Sequence, residues 1–139
     1  LYGPPGSGKT LLAKALHTLL PRLTSTAAHE VAKVYGMRQD RPMDQLYTPP
    51  FRMPHHSTSL HSLIGGGALP LPGEMSLAHR GVLCLDELPE AKRDTLEALR
   101  GPLEERAIHV SRLHGGSSFP ADCLVIATMN PCPCGYYGS

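Results

Sequence analysis

Residues 3–10 read Gly3-Pro4-Pro5-Gly6-Ser7-Gly8-Lys9-Thr10, a complete G-x-x-x-x-G-K-T pattern. Glycines in such a loop let successive backbone N–H groups curl around phosphate oxygens. A helix opening near Lys9 adds the positive end of its dipole. The Lys9 ammonium can reach β- and γ-phosphates as a point charge, and the Thr10 hydroxyl suits Mg²⁺. The expected chemistry is the binding of a nucleoside triphosphate. Val82-Leu83-Cys84-Leu85-Asp86-Glu87 supplies the other half, an apolar run ending in two acids. At the tip of a buried strand, Asp86 can hold the Mg²⁺ shell and Glu87 can polarise a water. An apolar strand ending in an acid is common in isolation. After a phosphate loop it becomes specific, because a bound triphosphate needs a metal site about there. Glu87 is the residue that separates a hydrolase from a protein that only holds nucleotide.

Thr128-Met129-Asn130 ends a further apolar run. In a parallel sheet this tip would lie beside the phosphate loop, where the Asn130 amide could orient the attacking water or touch the γ-phosphate. Asn before Pro is also an ordinary turn former, and only the order of loop, acidic strand and polar strand tip gives it a chemical role. Cys132-Pro133-Cys134-Gly135 either donates two thiolates to Zn²⁺ or is a turn with free thiols. Its single intervening residue is tighter than the usual zinc spacing. His55-His56 lies in a Pro-flanked segment and is expected to be a surface or turn feature. Arg41, Arg52, Arg80 and Arg112 are expected to be solvated charges.

These residues need particular elements to hold them. Leu12, Leu16, Leu19 and Leu20 recur at helical spacing, so a helix is expected from Lys9 to Leu20, stopped by Pro21. A second helix is expected from about Thr26 to Tyr35, closed by Gly36. One short strand is expected near Phe51-Arg52-Met53. Ser57 is expected to N-cap a helix running to Ile64, ended by Gly65-Gly66-Gly67. Leu69 to His79 reads as turn-rich, with a hairpin around Pro72-Gly73. Gly81 to Asp86 is expected as a buried strand. Pro89 is expected to open a helix to about Arg100 with Leu96 and Leu99 inward, ended or kinked by Gly101-Pro102. Ala107–Leu113 and Cys123–Met129 read as strands. Alternating strands and helices favour an α/β fold with a parallel sheet.

The composition excludes several classes. The 139 residues carry 13 Lys+Arg against 12 Asp+Glu, a net charge of +1, which lacks the basic footprint of a dedicated nucleic-acid module. Hydrophobic residues at 41% and charged residues at 18% fit a globular chain and argue against disorder. No apolar stretch approaches membrane-spanning length, and no secretion signal opens the chain. Cys84 and Cys123 lie inside apolar runs, where a reduced thiol behaves as a small hydrophobe. The chain opens at Leu1 two residues before the phosphate loop, so only the end of the strand that should carry the loop is present. It is expected to be an excerpt of a longer protein, incomplete at both ends.

With these residues in hand, the chain resembles the magnesium-chelatase-like AAA+ ATPases of the ComM/YifB family. The resemblance rests on residues 3–10, Phe51-Arg52-x-Pro54-His55-His56-Ser57 and Gly65-Gly66-Gly67. It continues through Pro72-Gly73-Glu74-x-Ser76-Leu77-Ala78-His79-x-Gly81-Val82-Leu83, Leu85-Asp86-Glu87-Leu88-Pro89-Glu90, Leu99-Arg100-x-Pro102-Leu103-Glu104 and Met129-Asn130-Pro131-Cys132-Pro133-Cys134-Gly135. It implies an α/β P-loop NTPase (AAA+) fold, a three-layer parallel sheet with a helix-2 insertion at about residues 51–80. Residues 1–139 would be the partial ATPase core from Walker A to sensor 1. By residue, it implies Walker A at Gly3–Thr10, Walker B at Asp86 and Glu87, and sensor 1 at Asn130. It further implies ATP and Mg²⁺ as cofactors, a hexameric ring of identical subunits, and action on branched DNA during natural transformation in the cytoplasm. The alternative it leaves is a chelatase-type subunit that drives metal insertion through a partner protein. A second cysteine pair commonly follows Cys132 and Cys134 in the family, which would complete a zinc site. Departures from the family pattern are Cys84 where Phe is common, Pro50 before Phe51, and Thr128 where Ala is common. They are expected to alter packing rather than mechanism.

Overall fold

The computed structural model describes residues 1–38, 45–66, 70–91, 93–110 and 116–131. Its centre is a parallel sheet of β1 (Phe51–Arg52), β4 (Val82–Leu85) and β7 (Leu124–Ala127), in the order β1-β4-β7. Phe51 pairs with Val82, and Val82 with Leu124. Beyond β7, Tyr2 bridges Met129 in parallel, so the strand end carrying the phosphate loop is the next member of the sheet, as expected. Gly3 N–H donates to Met129 O at 3.2 Å and Met129 N–H to Leu1 O at 2.8 Å.

The two-residue period of β4 divides the core between the sheet's faces. Val82 and Cys84 pack with Ala13 and Ile126 on the face covered by α1 (Lys9–Thr18). Leu83, with Leu85 beside it, packs on the other face with Leu63, Met75, Ala78, Leu99, Ile108 and Ala121. Those residues come from α3 (Leu60–Ile64), α4 (Glu74–Leu77), α5 (Arg93–Glu105), β5 (Ala107–Val110) and the chain around them. Helices on both faces of a parallel sheet make the three expected layers. α2 (Ser25–Gly36) adds a third cluster, in which Val31, Val34 and Tyr35 meet Leu77. β5 also pairs antiparallel with β6 (Ser117–Pro120).

Several boundaries depart from expectation. α1 meets the sheet through Ala13, whose small side chain permits close approach, while Leu12, Leu16 and Leu19 are exposed rather than buried. α3 is capped by Ser59, whose hydroxyl accepts from Ser62 N–H; Ser57 instead bonds His55. The hairpin lies one strand earlier, between β2 (Gly65–Gly66) and β3 (Leu71–Pro72), and Gly73 is the N-cap of α4. Pro89 sits in a 3₁₀ turn, Leu88–Glu90, and α5 starts later and runs through Gly101-Pro102. The proline forfeits one bond to Ala98 O within the last turns instead of ending the helix. Leu99 is buried as expected, but Leu96 is exposed.

Candidate functional site

In a parallel sheet the C-terminal strand ends share one edge, and loops there converge. Tyr2 leads into residues 3–10, β4 into Asp86 and Glu87, and β7 into Thr128 and Asn130. The result is a cleft of ≈340 Å³ lined by Pro5, Gly6, Ser7, Gly8, Lys9, Thr10, Asp86, Glu87 and Asn130. Gly6 and Gly8 have φ of +75° and +81°, conformations that glycine adopts without the strain a Cβ would bring. Gly8 is the N-cap of α1, no side chain caps that end, and no acid lies in the first turn. The helix end therefore faces the cleft as a positive pole.

The charged groups are tied together. The Lys9 ammonium donates to Gly3 O at 2.8 Å, Pro4 O at 2.9 Å and Asn130 Oδ1 at 2.9 Å. Thr10 Oγ1 lies 3.4 Å from Asp86 Oδ2. Asn130 Nδ2 lies 3.4 Å from Glu87 Oε1. Glu87 sits at φ +52°, a left-handed conformation costly for a non-glycine residue. Thus the structure brings Lys9, Thr10, Asp86, Glu87 and Asn130 to one place. Cys132, Cys134, Arg41 and Arg112 lie outside the described residues.

Two neighbours of the acids were not legible as such. His56 Nδ1 is 3.4 Å from Glu87 Oε2, and its ring stacks on His55 with centroids 4.0 Å apart. The parallel pairing of β1 with β4 explains this, because the chain leaving β1 runs beside the chain leaving β4. Only His55, bonded to Ser57 Oγ at 2.7 Å, keeps the expected turn role. Thr128, expected to matter for packing, is fully buried and hydrogen-bonds both acidic residues.

Arginines expected to be solvated are structural ties. Arg52 forms a bidentate pair with Glu74, at 2.6 and 2.8 Å, which raises its pKa and joins β1 to α4. Arg80 bridges Glu30, at 2.8 Å, and Asp122, at 2.9 Å. Burial pushes the Cys123 thiol up to about 11 and raises Cys84, so both stay protonated near neutral pH. A larger groove of ≈790 Å³, which includes Arg52, His61 and Glu74, is separate from the cleft. Its Arg52–Glu74 pair is neutralised internally.

The family described as Magnesium chelatase, subunit ChlI, matches residues 1–139. The chain is 50% identical over 138 residues to the uncharacterized protein YifB of Escherichia coli, covering 99% of this chain and 27% of that protein. It is 50% identical over 136 residues to Competence protein ComM of Haemophilus influenzae, covering 97% of this chain and 27% of that protein. An uncharacterized protein of Mycobacterium tuberculosis is 45% identical over 139 residues, covering 96% and 27%. The chain thus spans about a quarter of the length of the curated relatives it matches. Among solved structures, NtrX from Brucella abortus in complex with ADP superposes with a TM-score of 0.61 at 23% identity, covering 96% of this chain and 25% of that chain. That likeness concerns the fold alone, which is the expected α/β P-loop NTPase fold with a parallel sheet.

Proposed function

The chain belongs to the magnesium chelatase, subunit ChlI, family, and on that premise we propose that it is the ATP-hydrolysing core of an AAA+ motor that acts on branched DNA. The observation that carries the ATPase reading is the convergence of Lys9, Thr10, Asp86, Glu87 and Asn130 on one cleft at the sheet's C-terminal edge. The donor set fits ATP with Mg²⁺: an uncapped helix end and a lysine for phosphate, and a hydroxyl beside a carboxylate for a hard cation. When bound, the nucleotide supplies the phosphoryl group and Mg²⁺ neutralises charge that develops on it. The backbone of residues 3–8 and Lys9 would bind the phosphates, while Thr10 and Asp86 would hold the metal. The Glu87 carboxylate would orient a water and take its proton, and the Asn130 amide would keep that carboxylate aligned.

The finer assignments rest on relatives. Similarity to a competence protein supports DNA as the substrate. Within the expected insertion of about 51–80, β1 belongs to the central sheet and Leu63, Met75 and Ala78 to its core, so the β2–β3 hairpin is the part proposed to face the pore of a hexameric ring. No helix among the described residues is long and apolar enough to cross a membrane, in keeping with a proposed cytoplasmic location. The family's own description favours a second reading, an ATPase subunit that drives metal insertion through a partner protein. ATP turnover by the full-length protein, with and without branched DNA, separates the two. Stimulation by branched DNA supports the motor, and turnover indifferent to DNA contradicts it.

A further inference from the structure

We propose that Thr128 is a positioning residue that holds Asp86 and Glu87 in working geometry through its side-chain hydroxyl, an inference that rests on the ATPase reading above. Thr128 has no exposed surface, so its hydroxyl cannot exchange partners with water. The hydroxyl's one hydrogen and one of its two lone pairs go to the acidic pair. It accepts the Glu87 N–H at 3.0 Å and donates its own hydrogen to Asp86 Oδ1.

Each bond has a distinct consequence. Anchoring Asp86 Oδ1 leaves Oδ2 toward Thr10 Oγ1, the side on which the cation would be held. The Glu87 N–H bond braces a residue in the left-handed region, at φ +52°. The backbone of Thr128 completes the clamp, since its N–H donates to Leu85 O and its carbonyl accepts from Leu88 N–H, both at 3.0 Å. One residue at the tip of β7 thereby holds each of the four residues of the turn 85–88 by a hydrogen bond. The hydroxyl reaches the neighbouring strand end and its two acids. Valine has nearly the same shape but lacks the oxygen, so it isolates the hydroxyl's part.

The test uses full-length protein with Thr128→Val and Thr128→Ser, with two readouts: Mn²⁺ binding to the ADP-loaded protein by electron paramagnetic resonance, and kcat and KM for ATP. Thr128→Val is expected to raise the half-saturating Mn²⁺ concentration about 10-fold and lower kcat about 10- to 100-fold, as loss of an outer-shell partner does. Its KM should stay within about twofold, and Thr128→Ser should restore wild-type behaviour within about threefold. Thr128→Ala should reproduce the valine pattern and serves where the valine variant does not fold. Wild-type values in the hydroxyl-free variants, or a serine variant as impaired as valine, would overturn the inference while leaving the ATPase reading intact. A wild-type protein that neither binds nor hydrolyses ATP would overturn both.

Discussion

Lys9 spends its three ammonium hydrogens on Gly3 O, Pro4 O and Asn130 Oδ1, so the loop, its helix and the tip of β7 meet at one cation. Lys9→Ala should remove a charge-assisted contact to phosphate and weaken ATP binding by about 1.5–3 kcal/mol. Calorimetry on the full-length protein checks this, and an unchanged affinity would remove Lys9 from the binding site. The loop stood out in the sequence because a phosphate-loop pattern sets glycines at fixed places with a lysine after them, and its geometry matches, with Gly6 and Gly8 at positive φ. Thr128 and His56 did not. A hydroxyl within an apolar run looks like packing, and His56 becomes a neighbour of Glu87 only through the register that pairs Phe51 with Val82.

His79 and Met75 each tie one element to another. His79, on the turn after α4, is nearly buried; its Nε2 lies 3.1 Å from Glu30 Oε2 on α2, and its Nδ1 accepts the Asp122 N–H at 3.2 Å. Burial lowers its pKa, and the Arg80 charge does the same against the opposing pull of Glu30 and Asp122. Glu30 is itself lowered, by hydrogen bonds from Arg80 and His79. The folded state therefore holds a neutral ring, and the unfolded chain takes up the proton first. The contribution of this tie should be complete above pH 6.5, fall as the pH drops below that value, and fall further below 4.5 as Glu30 protonates. Urea midpoints of the full-length protein across this range should show that decline, and His79→Gln should flatten its upper part. A midpoint that rises on acidification would contradict the assignment. In the core, Met75→Ala removes a side chain with no exposed surface and should cost about 2–5 kcal/mol by urea unfolding. Repeating strand and helix patterns made β4, β7, α1 and α2 legible. Pro89 misled, since it sits in a 3₁₀ turn ahead of α5, and of the two outcomes expected at Gly101-Pro102 the helix does not end there, because a proline's cost is local. The face of α1 that meets the sheet was not legible, because contact comes through Ala13, a residue with little hydrophobic signal.

At the scale of the molecule, the chemistry follows from topology. Tyr2, β7, β4 and β1 lie side by side and parallel, so the chain leaves each at the same edge of the sheet. Residues far apart in sequence, Lys9, Asp86 and Asn130, become neighbours there without any loop having to reach. The same arrangement places His56 and Thr128 on either flank of the acids, one from the strand before β4 in the sheet and one from the strand after it. In the proposed function this edge hydrolyses ATP, with Glu87 acting on water and not on nucleotide binding. The direct measurement is ATP affinity and steady-state turnover of full-length wild type beside Glu87→Gln. A carboxylate that acts mainly in the transition state predicts equal affinity and a turnover lowered by on the order of 10²–10⁴-fold. Near-normal turnover in Glu87→Gln would contradict it, and would assign the water to another group.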